Sequence, residues 1–161
     1  MSGHTIRDPA VTMPSPYLPA VSPPDSGAVG RITASLRIVG DDVDPDTITA
    51  QLGISPTFAA RNGEEIWSRG VTLTQRHGVW SYSLTERAGS GDELDDAIMR
   101  LLARFPVDEA IWSALAAAHA VGVACGLHLT DANQGTDLRP STLQALAARH
   151  LGLSLDIYSA A

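Results

Sequence analysis

The fold is decided by residues 31–58, which read RITASLRIVGDDVDPDTITAQLGISPTF. From residue 32 onwards, apolar and polar side chains alternate, and this period of two is typical of a half-buried strand. The apolar members of the alternation are Ile32, Ala34, Leu36 and Ile38. The pattern therefore predicts a first strand that ends near Gly40 and turns one face towards a core.

The acidic segment after Gly40 predicts the start of a helix. Asp44 stands directly before Pro45, an order typical of an N-cap followed by the first helical position. Asp46 then falls near the positive end of the helix dipole, where a carboxylate is stabilising. Gly53 predicts the left-handed residue that ends the helix.

A hairpin is predicted next. Its arms are residues 65–67 and 79–84, and a long loop joins them. Trp80, Tyr82 and Leu84 share one face of the second arm, so we expect Trp80 to lie in the core. Long loops are more often functional than short ones, which draws attention to the connection between the arms.

The remainder of the chain predicts three more helices and two more strands. Ser90 and Glu93 form a capping-box pattern before the first of these helices, Asp108 precedes the second, and Gly152 is expected to end the third. The complete order is β-α-β-β-α-α-β-α-β. We therefore predict an α+β fold, a mostly antiparallel sheet of about five strands with helices packed on one face.

Composition predicts one folded domain preceded by a leader. Residues 1–29 hold six of the ten prolines and show no periodic apolar pattern. Such a segment cannot bury enough apolar surface to offset its ordering entropy, so we expect it to be disordered. Residues 30–161 are predicted to form a single α+β domain.

Charge and cysteine content exclude several classes of protein. The net charge of −7 argues against a nucleic-acid binder, because neutralising phosphates requires clustered cations. No apolar run is long enough for a membrane span, and no signal peptide is evident at the start. A single cysteine, Cys125, excludes an internal disulfide and fits a reducing compartment, so a cytoplasmic location is expected.

Ordered marks along the chain carry a family resemblance. They are LRIVGDD at 36–42, LGI at 52–54, GVW at 78–80 and LDIY at 155–158. In this order and spacing they resemble the bacterial family called domain of unknown function 4279, over about residues 32–158. The resemblance implies a small bacterial α/β domain. It implies no activity and supplies no catalytic residues.

Four carboxylates lie within residues 41–46. A calcium loop is excluded, because Thr47 stands where the loop needs glycine and Gly53 stands where it needs a bidentate glutamate. Helix capping accounts for two of the four carboxylates. Asp41 and Asp42 have no assigned task and are possible additional binding residues.

Neither a metal site nor a cofactor is predicted. His77, His119, His128 and His150 lack the local spacing of metal ligands. His128 also lies an odd number of residues from Cys125, so on a regular strand the two side chains point to opposite faces and do not form a nucleophile pair. No catalytic residue is assigned.

The predicted contact surface lies on and beside the long hairpin connection. It consists of Arg61, Trp67, Arg69, Arg76 and His77. Arginine and tryptophan are frequent anchors of protein interfaces, and arginine also recognises anions. Core packing is an equally plausible role for Trp67, because aromatic residues on a hairpin usually pack beneath helices.

The leading functional hypothesis is a non-enzymatic cytoplasmic binding or regulatory module, of which an immunity-type protein is one form. Its partner would be a protein or a small anionic ligand, and no nucleic acid or membrane is expected. The alternative is a small hydrolase or ligand-processing enzyme that uses Asp41, Asp42 and a histidine. A self-assembling domain with exposed sheet edges is a third possibility.

Overall fold

The computed structural model describes residues 30–84, 93–131 and 134–159. In chain order the elements are β1 (Arg31–Gly40), α1 (Pro45–Leu52), β2 (Phe58–Ala60), β3 (Glu65–Ser68), β4 (Val71–Thr74), β5 (Gly78–Ser83), α2 (Leu94–Leu102), α3 (Glu109–Ala118), β6 (Ala120–His128), α4 (Pro140–Ala147) and β7 (Gly152–Tyr158). The leader predicted over residues 1–29 and Ser90 of the predicted capping box lie outside the described residues. Among the described helices, none is both long and apolar enough to cross a membrane.

The main sheet has five strands in the order β2-β5-β1-β6-β7. Its central strand, β1, is antiparallel to both β5 and β6, and β2 is antiparallel to β5. The outermost strand, β7, runs parallel to β6. The predicted α+β class and the mostly antiparallel sheet are confirmed.

One face of this sheet carries the core. Ile32, Leu36 and Ile38 of β1 are almost completely buried, whereas Thr33 and Arg37 on the opposite face are exposed. The helices cover the buried face, with α2 against β1, α1 against β5, α3 against β6 and α4 against β7. The alternation in β1 thus sets the side on which every helix packs.

Aromatic side chains fill the centre of the core. Trp80 and Trp112 are fully buried, and the ring of Phe105 lies edge-on to both, with centroid distances of 6.3 and 6.2 Å. The indole N–H of Trp80 donates to Thr49 Oγ1 at 3.1 Å. The prediction that Trp80 belongs to the core is confirmed.

The predicted hairpin between residues 65–67 and 79–84 is wrong. Residues 65–68 pair with 71–74, and the second predicted arm belongs to the main sheet as β5. The element order therefore contains two short strands, β2 and β4, that the pattern did not predict. In the register of β5 against β1, Trp80 lies opposite Ile38, and both side chains are buried. The aromatic face of β5 therefore results from its place in the main sheet and not from pairing with residues 65–67.

The helix boundaries mostly follow the predicted signals. Gly53 ends α1 in the left-handed conformation, and the side chain of Asp108 accepts the N–H of Ala110 at the start of α3. Gly152 was expected to end α4, but it is the first residue of β7. The left-handed residue after α4 is His150, with φ 53°.

A buried carboxylate joins two of the helices. Asp95 on α2 is 2% exposed, and its Oδ1 accepts the backbone N–H of Arg139 at 2.7 Å, directly before α4 begins. This hydrogen bond lowers the pKa of Asp95. Asp95 therefore fixes α2 against the start of the helix that supports β7.

Candidate functional site

The β3–β4 hairpin lies outside the main sheet. Its two strands pair with each other and form a separate two-stranded sheet. Arg69 and Gly70 make the turn, both with positive φ, of 49° and 83°. Positive φ at both central residues is the geometry of a type I′ turn, whose twist matches that of a two-residue hairpin.

Apolar side chains are exposed on both faces of this hairpin. Trp67 is 74% exposed on one face, while Val71 and Leu73 on the other face are 52% and 48% exposed. An isolated two-stranded hairpin is at best marginally stable in water, and this one is not buried against a helix layer. The hairpin thus presents an indole and two aliphatic side chains to the solvent.

Arg61 fixes the chain where it enters the hairpin. Its Nη2 lies 2.7 Å from Asp44 Oδ1 and 2.7 Å from Asp46 Oδ2, at the start of α1. These contacts raise the pKa of the Arg61 guanidinium, with Asp46 as the larger cause. Arg61 was predicted as a contact residue, but its charge is already paired within the chain.

Asp44 occupies the predicted N-cap position, although its side chain acts differently. Its backbone carbonyl accepts the first helical bond from Ile48, while the carboxylate accepts from the Thr47 hydroxyl at 2.7 Å and from Arg61. The Thr47 bond is the main cause that lowers the pKa of Asp44, and Arg61 follows. The carboxylate therefore serves the contact with Arg61 rather than an orphan amide of the helix.

His77 fixes the chain where it leaves the hairpin. Its Nδ1 lies 2.7 Å from Asp41 Oδ1, in the turn after β1. Both side chains are largely exposed, at 61% and 70%. The acidic turn thus holds both ends of the hairpin, through Arg61 on one side and His77 on the other.

The remaining two arginines of the predicted surface, Arg69 and Arg76, lie at opposite ends of the hairpin. Neither Arg69 nor Arg76 has a hydrogen-bond or ion-pair partner among the described residues. Arg69 lies in the turn at the tip, whereas Arg76 follows β4 at the base, roughly 20 Å away at the rise of an extended strand. These arginines do not converge on a cleft of small-molecule size.

Asp42 points into a different region from Asp41. It lines a cleft of about 300 Å³ between α1 and α3, together with His119. The Nδ1 atom of His119 is buried and has no hydrogen-bond partner in the described part of the chain. It packs against the backbone of Gly40, where a Cβ would lie 2.9 Å from it. The cleft is open, and the His119 nitrogen faces the backbone rather than the cleft.

The other titratable candidates are separated. His128 stacks on Tyr158 at 4.4 Å and contacts Arg31, and His150 lies near Glu109. Within the described residues, no three His, Cys, Asp or Glu side chains are grouped to hold a metal ion.

The thiol of Cys125 is buried in the core. Its side chain is buried on the helix-covered face of β6, and burial raises its pKa to about 12. A thiol with this pKa stays protonated at neutral pH, so Cys125 behaves as a small apolar residue and not as a nucleophile.

Sequence reasoning missed β4, although a signal was present. Val71 to Thr74 alternate between apolar and polar residues, and Arg69-Gly70 supplies a two-residue turn with glycine second. The contacts of Arg61 and His77 with the acidic turn had no such signal, because the partners are 15 to 36 residues apart.

The chain matches the family model described as Domain of unknown function (DUF4279) over residues 30–160. No curated protein and no solved structure matches it.

Proposed function

The chain belongs to the domain of unknown function family DUF4279, which assigns no activity, and we propose that it is a non-enzymatic protein-recognition module whose contact element is the β3–β4 hairpin. The observation that carries this proposal is the exposure of Trp67, 74% of which faces solvent on a hairpin outside the main sheet. Tryptophan is one of the residues enriched among the anchors of protein interfaces, together with tyrosine and arginine.

The arginines favour an extended protein partner over a small anion. Arg69 at the tip and Arg76 at the base are unpaired among the described residues and lie at opposite ends of the hairpin, so one small ligand cannot contact both. A protein surface with an apolar pocket for Trp67 and carboxylates on either side fits this arrangement. Such a module would occlude or recruit its partner, as an immunity-type protein does.

Arg61 and His77 then have a positioning role. Through Asp44, Asp46 and Asp41 they connect the two ends of the hairpin to the acidic segment between the end of β1 and the first turn of α1. A pre-positioned hairpin loses less conformational entropy on binding than a free one. We place this activity in the cytoplasm, in keeping with the single reduced cysteine.

The test uses the three tryptophans of the chain. Trp80 and Trp112 are fully buried, so a water-soluble quencher such as iodide reaches Trp67 alone. The full chain is immobilised, the proteins that it captures from cell lysate are identified, and the purified partner is titrated against the chain. We expect binding to protect Trp67 from quenching.

Matched variants decide the outcome. Trp67→Ala and Arg69→Ala should abolish binding without changing the unfolding temperature, because both side chains are exposed. Val107→Ala is the control, since Val107 is 82% exposed and lies between α2 and α3, outside the hairpin. Equal binding by Trp67→Ala and the wild type would contradict the proposal.

One observation favours a second candidate function. The 2.7 Å contact between Asp41 and His77 is the arrangement in which a carboxylate orients an imidazole as a general base. A small hydrolase built on this pair would activate water through the outer nitrogen of His77. His77→Gln would then abolish turnover of ester or phosphoester substrates, whereas the recognition proposal expects no turnover from the wild type.

A further inference from the structure

Strand β7 lies at one edge of the main sheet. It pairs with β6, and no described strand lies on its other side. Leu155, Ile157 and Tyr158 on this strand are 42%, 62% and 50% exposed. An edge strand with exposed apolar side chains and unpaired backbone groups is a template for another strand.

The backbone groups that face this free edge can be identified. Leu129 N–H donates to the carbonyl of Tyr158 at 2.9 Å, so the polar groups of Tyr158 point towards β6. Successive residues of a strand direct these groups to opposite sides. The N–H and C=O groups of Leu153, Leu155 and Ile157 therefore point away from the sheet.

The helix layer contacts this strand through α4 but leaves its outer apolar side chains exposed. The register places Leu155 beside Cys125 and Ile157 beside Leu127, on the face that the helices cover. Cys125 and Leu127 are 1% and 3% exposed, in contrast to their neighbours on β7. The apolar face of the sheet thus continues beyond its cover.

We propose that β7 pairs antiparallel with β7 of a second copy of this chain, about a twofold axis that passes through Leu155. In this register Leu155 faces its own copy, and Leu153 faces Ile157 of the other chain. All three residues direct their backbone groups outwards, so the pairing forms about six interchain hydrogen bonds. Their side chains meet on the helix-covered face, where Leu155 and Ile157 are exposed in the single chain and Leu153 is half-buried.

Charge selects this register among the symmetric ones. Asp156 is the only charged residue of β7, and here it lies opposite Ser154 of the second copy, whose hydroxyl can donate to it. A twofold axis at Asp156 would instead place two carboxylates directly opposite each other. With an axis at Ser154, fewer of the seven residues of β7 would be paired with the second copy. The strand is therefore complementary to itself in one register.

The first experiment measures the mass of the full chain in solution by size-exclusion chromatography with light scattering. We expect a dimer for the wild type and a monomer for Leu155→Lys, which places two like charges on the axis. Leu73→Lys is the matched control. It changes a leucine of similar exposure on the hairpin and should remain dimeric. A monomeric wild type, or a dimer that survives Leu155→Lys, would overturn the proposal.

A second pair of variants tests the register. Ser154→Asp should weaken dimerisation about tenfold, because the introduced carboxylate of each copy then lies opposite Asp156 of the other copy. Ser154→Lys should strengthen dimerisation, because it places an opposite charge there. Ser154 and Asp156 are both exposed, so the two Ser154 variants should fold and still test the register if Leu155→Lys fails to fold. Equal dissociation constants for the two variants would rule out this register.

Cross-linking provides an independent check. Under mild oxidation, Leu155→Cys should form a disulfide-linked dimer, because paired residues on antiparallel strands lie about 5.5 Å apart. Ile157→Cys should not, since its own copy would lie roughly 14 Å away. The native Cys125 is buried and does not interfere. Failure of Leu155→Cys to cross-link, or equal cross-linking of Ile157→Cys, would contradict the twofold axis at Leu155.

Discussion

The substitution Asp95→Asn tests whether a buried carboxylate holds α2 against α4. Asp95 is 2% exposed and accepts the backbone N–H of Arg139 at 2.7 Å, and Arg139 Nη1 lies 3.6 Å from its other oxygen. Asparagine keeps the shape and one acceptor but removes the charge. Alanine removes the acceptor altogether.

The expected magnitude follows from the type of hydrogen bond. A bond to a charged acceptor contributes about 2 kcal/mol to the free energy of unfolding, and a neutral one contributes about 1 kcal/mol. Asp95→Asn should therefore cost about 1 kcal/mol and Asp95→Ala about 2 kcal/mol. For a domain of this size, the second loss lowers Tm by about 6 °C.

The pH dependence gives a second signature. The N–H of Arg139 is the main cause that lowers the pKa of Asp95 in the folded state. The stabilisation is therefore complete above the unfolded pKa of about 3.9 and is lost as pH falls through the lower folded pKa. The difference between wild type and Asp95→Asn should be constant near neutral pH and should close in acid.

Urea unfolding followed by far-UV circular dichroism measures both effects. Asp96→Asn is the control, because Asp96 is adjacent, half exposed and 3.8 Å from the Arg139 guanidinium. It should change the free energy of unfolding by less than about 0.5 kcal/mol. Equal losses for the two asparagine variants, or a difference that persists in acid, would refute the reasoning.

Three further predictions concern the core and the sheet. Cys125 should resist thiol reagents at pH 8 and react on unfolding, because burial raises its pKa to about 12; rapid labelling of the native chain would contradict this. Gly122→Ala should cost about 1–3 kcal/mol in urea unfolding, since its Cβ would lie 3.0 Å from the carbonyl oxygen of Gly152, whereas Gly135→Ala meets nothing and should be neutral. Trp80→Ala should lower the free energy of unfolding by about 3–5 kcal/mol; a loss below about 1 kcal/mol would show that the core does not depend on this ring.

Patterns that arise from burial were predictable from the sequence. The alternation in β1 identified the central strand and its buried face, and Gly53 and Asp108 marked helix ends, because each signal depends on neighbouring residues alone. Strand pairing was not predictable in the same way. The aromatic face of β5 showed that a strand exists there, but a period of two does not say whether it pairs with β1 or with β3.

The candidate site was predictable in part. The choice of Trp67 and Arg69 followed from residue type and from their place near a long connection. Sequence alone did not decide whether Trp67 was buried, because that depends on whether the hairpin joins the main sheet. The partners of Arg61 and His77 could not be predicted either, since chain segments distant in sequence bring these charges together.

The strand order also sets the distance between the two hairpins of the proposed dimer. The hairpin is inserted between Ala60 of β2 and Gly78 of β5, at the edge of the sheet opposite β7. In a dimer joined through β7, the two β2 strands become the outer strands of one ten-stranded sheet, separated by about 43 Å at 4.8 Å per strand. A partner with two epitopes at this spacing would gain avidity, because engagement of one hairpin raises the effective concentration of the other.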